Sequence, residues 1–82
     1  MKALYDREAA KTINKLDAPI KQRIRQAVNN IPKGDIKPLK GYTDGRKRLR
    51  VGKYRIIFRE AEKDNEEVLF IMEIGSRGDI YK

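Results

Sequence analysis

Cysteine and histidine are both absent from this 82-residue chain. Without cysteine there is no disulfide, no thiolate nucleophile and no cysteine-based zinc site. Without histidine the commonest general acid/base near neutral pH and the commonest metal ligand are missing, so any catalysis must draw on carboxylate, lysine, arginine or tyrosine. No carboxylate cluster suggests a metal, and Gly41 to Lys47 lacks the glycine spacing and the Lys-Ser/Thr pair of a phosphate-binding loop, so neither metal nor cofactor is expected. No apolar run approaches the roughly 18 residues of a membrane span, and the N-terminus lacks the apolar stretch of a signal peptide. The expected location is the cytoplasm, with no membrane partner.

The length allows one domain over residues 1–82 with one modest core. Hydrophobic and charged residues each make up 39% of the chain, and the apolar ones fall in periodic clusters, as in a folded rather than a disordered chain. Twenty lysines and arginines against 12 acids give a net charge of +8, which favours a polyanionic partner through counterion release. Membrane-surface binding would call for a lysine-rich amphipathic helix, and the charge is concentrated elsewhere.

Met1 to Tyr5 reads as a short strand, and Asp6 is placed to cap a helix from Arg7 to Leu16 whose Ala9, Ile13 and Leu16 share a face. Asp17-Ala18-Pro19 restarts the chain into a second helix, with Ile20, Ile24, Ala27, Val28 and Ile31 at helical spacing. Asp6, Glu8, Asp17 and Asp35 are read as caps or turn residues. Pro32 to Asp35 ends this helix, and Pro38 and Gly41 keep the following segment irregular up to a turn at Asp44-Gly45. The period then changes to two. Leu49 and Val51 alternate with arginines, Gly52-Lys53 fits a two-residue hairpin turn, and Tyr54, Ile56 and Phe58 alternate in the next strand. Ala61 to Glu66 reads as a polar loop, and Val68 to Ile74, apolar on nearly both faces, as an interior strand. Helices first and strands afterwards predict an α+β fold, with two N-terminal antiparallel helices packed on one face of a small, mainly antiparallel, twisted sheet.

With Gly52-Lys53 as the turn, Val51 pairs with Tyr54, Arg50 with Arg55, Leu49 with Ile56, Arg48 with Ile57 and Arg46 with Arg59. Leu49, Val51, Tyr54, Ile56 and Phe58 then share the face under the helices, while Arg46, Arg48, Arg50, Arg55 and Arg59 crowd the other with no acid among them. Like charges opposite one another on a sheet cost up to about 1 kcal/mol per pair. A solvated face that discourages edge pairing is the bland alternative. Arginine, whose planar fork matches phosphate and stacks on bases, favours a binding surface over it.

Lys15-Leu16-Asp17, the run from Gly34 to Gly41, the hairpin LRVGKYRIIF over residues 49–58 and the tail IGSRGDIYK over residues 74–82 together resemble the RelE/ParE toxin superfamily. The resemblance implies two helices on an antiparallel sheet. It also implies either a RelE-type toxin, which cleaves messenger RNA in the ribosomal A site, or a ParE-type toxin, which poisons DNA gyrase. It further implies a cognate antitoxin, expected to be acidic, through which the toxin–antitoxin complex binds its own operator DNA. Matched residue by residue, the RelE-type site falls at Arg46, Arg48, Arg55, Arg77 and Tyr81, a set that ParE-type members generally lack. Arg50, Arg59, Lys47 and Lys53 are expected to contact RNA.

Cleavage without a metal requires the 2′-hydroxyl deprotonated, the phosphorane charge stabilised and the 5′-oxygen protonated. On this reading Arg55 and Arg77 face the scissile phosphate, Arg46 and Arg48 position the backbone, and Tyr81 serves as base, orienting group or stacking ring. Arginine, with a pKa above about 12, cannot be the base. A gyrase inhibitor and a non-catalytic nucleic-acid-binding module are the other two classes the residues allow.

Overall fold

The computed structural model describes residues 2–76. Strand β1 (Lys2–Tyr5) leads into helix α1 (Arg7–Asn14) and helix α2 (Ala18–Asn29), followed by β2 (Asp35–Pro38), β3 (Lys47–Val51), β4 (Tyr54–Lys63) and β5 (Glu66–Ser76). The strands form one five-stranded sheet in the order β1-β5-β4-β3-β2, antiparallel except for β1, which runs parallel to β5. A parallel pair needs a long crossover, and the two helices with β2 to β4 supply it. Among the described residues no helix is long and apolar enough to cross a membrane.

Both helices lie on one face of the sheet. Ala9 and Ile13 of α1 and Ile24 and Val28 of α2 form a buried cluster with Leu49, Ile56, Phe58, Leu69, Ile71 and Ile74, and Leu16, Ile20, Ala27, Ile31, Val51 and Tyr54 pack at its margin. The face expected from the alternation in the hairpin is thus the one the helices cover. Asp6 and Asp17 stand at the N-cap positions, but neither makes the side-chain capping bond expected of it. Their carbonyls accept the first helical bonds instead, from Ala10 at 2.8 Å and Lys21 at 2.9 Å. The Asp6 amide donates to the Ile71 carbonyl at 2.8 Å, which ties the start of α1 to β5.

Three local expectations are corrected. Asp35 to Pro38 is not irregular but an edge strand paired with β3, Ile36 opposite Leu49; proline is tolerated there because an edge strand leaves one side unpaired. The expected loop over Ala61 to Glu66 is mostly strand: β4 runs on to Lys63 and β5 begins at Glu66, joined by Asp64 and Asn65 at φ of 53° and 66°. Two successive residues with positive φ make the turn whose twist matches a hairpin, and Asp and Asn tolerate that conformation better than most side chains. The helices also end early, at Asn14 and Asn29 rather than Leu16 and Ile31.

A β-bulge brings both Ile71 and Ile74 of β5 to the helix side although they are three residues apart. Ile57 pairs with Glu73 but Phe58 pairs with Ile71, so Met72 is the extra residue. Leu69 and Ile71 lie on the helix side before the bulge and Ile74 after it. Glu73, Phe70 and Val68 fall on the other side.

Phe58 is 1% exposed at the centre of the cluster. Phe58→Ala should lower unfolding stability by about 3–5 kcal/mol, measured by chemical denaturation.

Candidate nucleic-acid interface

The face of the sheet away from the helices is built as a lattice by the strand register. One row runs Lys37, Arg48, Ile57, Glu73 across β2, β3, β4 and β5; the next runs Asp35, Arg50, Arg55, Gly75. Arg59, opposite Phe70, continues the face on the far side of Ile57 and stacks its guanidinium 5.4 Å from the Phe70 ring. Arg48, Arg50, Arg55 and Arg59 are therefore brought onto one surface, with Arg50 and Arg55 directly opposed. Ile57 is only 1% exposed although it lies on the side away from the helices, enclosed in its row by Arg48 and Glu73. Long side chains on a sheet shield a central aliphatic residue in this way with their apolar stems.

The expectation of a face without acids is corrected. Asp35, read as a cap or turn residue, reaches Arg48 Nη2 at 3.4 Å and Arg50 Nε at 3.9 Å. Arg48 is a buried cation, 5% exposed, and Asp35 supplies it with a counter-charge. Arg46, just before β3, is clasped by Asp44: its Nη2 donates at 2.8 Å and its Nε at 3.1 and 3.2 Å to the carboxylate oxygens. Its guanidinium carbon also sits 4.1 Å above the exposed Tyr42 ring. The Arg46 hydrogen bonds hold the Asp44 carboxyl below the ordinary carboxylate range. Arg46 is raised in turn, chiefly by Asp44 and to a lesser degree by the charges of Tyr42 and Glu73.

Lys47 is not on this surface. It pairs with Phe58, shares the parity of Leu49, and lies 3.7 Å from Glu60. Lys53, in the turn, has its ammonium 5.6 Å from the Tyr54 ring and joins Arg50, Gly52 and Arg55 around an open cleft of about 340 Å³. Arg77 and Tyr81 lie outside the described residues. Asp35, Tyr42 and Glu73 are the residues sequence reasoning missed. The alternation Asp35-Ile36-Lys37 ending at a proline was a signal for the edge strand and hence for Asp35. The position of Glu73 depends on a bulge that nothing in the sequence marks.

These pairs differ in depth, and so should their effects. Asp35→Ala leaves Arg48 without its described counter-charge and should cost about 1–2 kcal/mol in a denaturation titration, the partner carboxylate being half-exposed. Asp44→Ala, on the surface, should change stability little. With its carboxyl pKa depressed by folding, the Asp44–Arg46 contact is present above the ordinary carboxylate range and is lost as pH falls through the lowered value, a titration that carbon NMR of Asp44 would follow.

A family profile described as the ParE toxin of the type II toxin-antitoxin system, parDE, matches residues 3–81. No curated protein matches the chain. Among solved structures, a chain of the RelB-RelE antitoxin-toxin complex from Methanococcus jannaschii is 26% identical with a TM-score of 0.70, the match covering 95% of this chain and 94% of that one. The YoeB/ParE toxin from Agrobacterium tumefaciens is 21% identical with a TM-score of 0.76 over 94% of this chain and 99% of that one. The toxin-antitoxin complex RelBE2 from Mycobacterium tuberculosis is 21% identical with a TM-score of 0.71, covering 93% and 96%. The last two likenesses bear on the fold alone, whereas the profile spans nearly the whole chain. With helices, sheet and family profile in agreement, the chain belongs to the ParE toxin family of type II toxin-antitoxin systems, within the RelE/ParE superfamily.

Proposed function

We propose that this toxin is a ribosome-dependent endoribonuclease that cleaves messenger RNA in the A site by metal-independent attack of the ribose 2′-hydroxyl, so inhibiting translation. The observation that carries the reading is the group Arg48, Arg50, Arg55 and Arg59 on a sheet face that the two helices leave uncovered. Fixed guanidinium donors stabilise charge that develops on a phosphorane, and they do so most effectively when no reorganisation is needed during the reaction. Arg48 is fixed by Asp35 and Arg46 by Asp44 and Tyr42. Arg55 stands in the open cleft at the hairpin tip, a position from which it can meet a phosphate.

In this reading Arg55 and Arg77 bear on the scissile phosphate and Arg46 and Arg48 position the RNA backbone. Arg50, Arg59 and Lys53 extend the electrostatic track, and Tyr81 contributes its hydroxyl or its ring. Lys47, turned to the other face, contributes at most at the rim. The partner that restrains the activity is a cognate antitoxin, as in the RelB-RelE complex. A net charge of +8 calls for an acidic antitoxin, and the pair is proposed to bind its operator DNA through the antitoxin.

A second reading, inhibition of DNA gyrase, is favoured by the description of the matching profile as ParE. One experiment separates the two: purified toxin is added to translating ribosomes and, in parallel, to a gyrase supercoiling reaction. Loss of supercoiling with intact message would select the gyrase reading. For the ribonuclease reading, Arg55→Ala should slow single-turnover cleavage on the ribosome by about a hundredfold or more while changing ribosome affinity far less. Tyr81→Phe divides the two roles of that residue, since a large rate loss with intact binding implicates the hydroxyl and a near-normal rate leaves stacking.

A further inference from the structure

RNA cleavage needs an acceptor for the 2′-hydroxyl proton, and the arginine face cannot supply it from its guanidinium groups. Among the described residues three carboxylates border the arginines on this face, and the structure separates them sharply. Asp44 is engaged by Arg46 through Nε and Nη2. Asp35 lies between Arg48 and Arg50. Glu73, on β5, is solvent-exposed and forms no ion pair among the described residues.

Register gives Glu73 its neighbours. It pairs with Ile57, so Arg55, two residues before Ile57 on the same face of β4, is its diagonal neighbour. Such diagonals span about 7–8 Å between backbones, within reach of two long side chains or of one substrate group held between them. Arg48 lies beyond Ile57 in the same row, and the charge of Glu73 is felt as far as Arg46. The bulge at Met72 is what turns Glu73 to this side while Ile71 and Ile74 remain in the core.

We propose that Glu73 is the proton acceptor for the ribose 2′-hydroxyl, an exposed carboxylate set among phosphate-binding arginines. The inference rests on the ribonuclease reading and adds to it a catalytic residue. As the 2′-oxygen forms its bond to phosphorus, its proton passes to a Glu73 carboxylate oxygen. The bond from phosphorus to the 5′-oxygen breaks, and the departing oxygen takes a proton from water. Glu73 then returns its own proton to the solvent, leaving a 2′,3′-cyclic phosphate and a 5′-hydroxyl. The arginines supply the complementary half of the chemistry, because a phosphate held by Arg55 brings the adjoining ribose toward Glu73.

Glu73→Gln keeps the shape and removes the proton acceptor. It also removes a negative charge from a cationic surface, so a role in tempering that charge predicts equal or tighter RNA binding and no loss of rate. A role as base predicts equal or tighter binding together with a single-turnover rate about a hundredfold lower or more, as general bases contribute. The fall in wild-type rate toward acidic pH should also be lost in the variant. Among the described residues the charged groups around Glu73 are Asp35 and Lys37 of β2, Arg46 and Asp44 before β3, Arg48 and Arg50 of β3, and Arg55 and Arg59 of β4. Arg55→Ala, which keeps Glu73, should retain that acidic fall at its reduced rate. The measurement is cleavage of ribosome-bound message by wild type and Glu73→Gln across pH, with folding of each checked by thermal melting. An active wild type with a Glu73→Gln rate within about threefold of it overturns the assignment of Glu73 alone. A wild type that leaves every ribosome-bound message intact overturns the ribonuclease reading and this inference with it.

Discussion

A shift of one residue in the β3–β4 turn would move every side chain of one strand to the opposite face of the sheet, and the rest of the surface depends on that turn. Gly52 makes it with φ of 58°, a conformation that costs glycine nothing and other residues more. A Cβ there would also come 3.3 Å from the Arg23 guanidinium of α2. With the turn fixed at two residues, Leu49, Ile56 and Phe58 enter the core and Arg48, Arg50 and Arg55 are left together outside it. The hydrophobic contacts that bury the first set therefore impose the electrostatic repulsion felt by the second.

That repulsion is met by carboxylates from segments outside the hairpin. Asp35 arrives from an edge strand and Asp44 from the loop before β3. They act differently because their depths differ. Asp35 accompanies a guanidinium that is almost fully buried, where an unmatched charge would be costly, whereas the Asp44 pair is exposed and mainly fixes the orientation of Arg46. The outcome is a cationic surface whose inner arginine is anchored beside Asp35 and whose outer part is a cleft lined by Arg50, Lys53 and Arg55. Anchoring part of the charge in advance reduces the ordering that a polyanion must impose when it binds.

Much of this was legible in the sequence wherever one residue type does one thing. The helical faces, the parity of the first hairpin and the clustering of arginines follow from apolar spacing and from Gly52-Lys53. The second hairpin was hidden because Asp64 and Asn65 adopt a turn usually signalled by glycine, so a polar stretch looked like a loop. Edge strand β2 was hidden by Pro38, which argues against a strand anywhere except at an edge. The acids were the largest omission. Asp35 sits 13 residues before Arg48 in sequence, and Glu73 faces the arginines only through the Met72 bulge, so neither relation can be read from local spacing.

Fold alone does not select between a ribosomal and a gyrase target, since the scaffold is shared; the choice belongs to the chemistry of the uncovered face. The proposed ribonuclease chemistry has the ribose itself provide the nucleophile, with the arginines stabilising the charge that develops on phosphorus. The most direct measurement is to offer ribosome-bound messages that differ in one atom, ribose or 2′-deoxyribose at the scissile position, and to analyse the ends formed. The ribose message should yield a 2′,3′-cyclic phosphate and the deoxy message no cut, and efficient cleavage of the deoxy message would contradict attack by the 2′-hydroxyl.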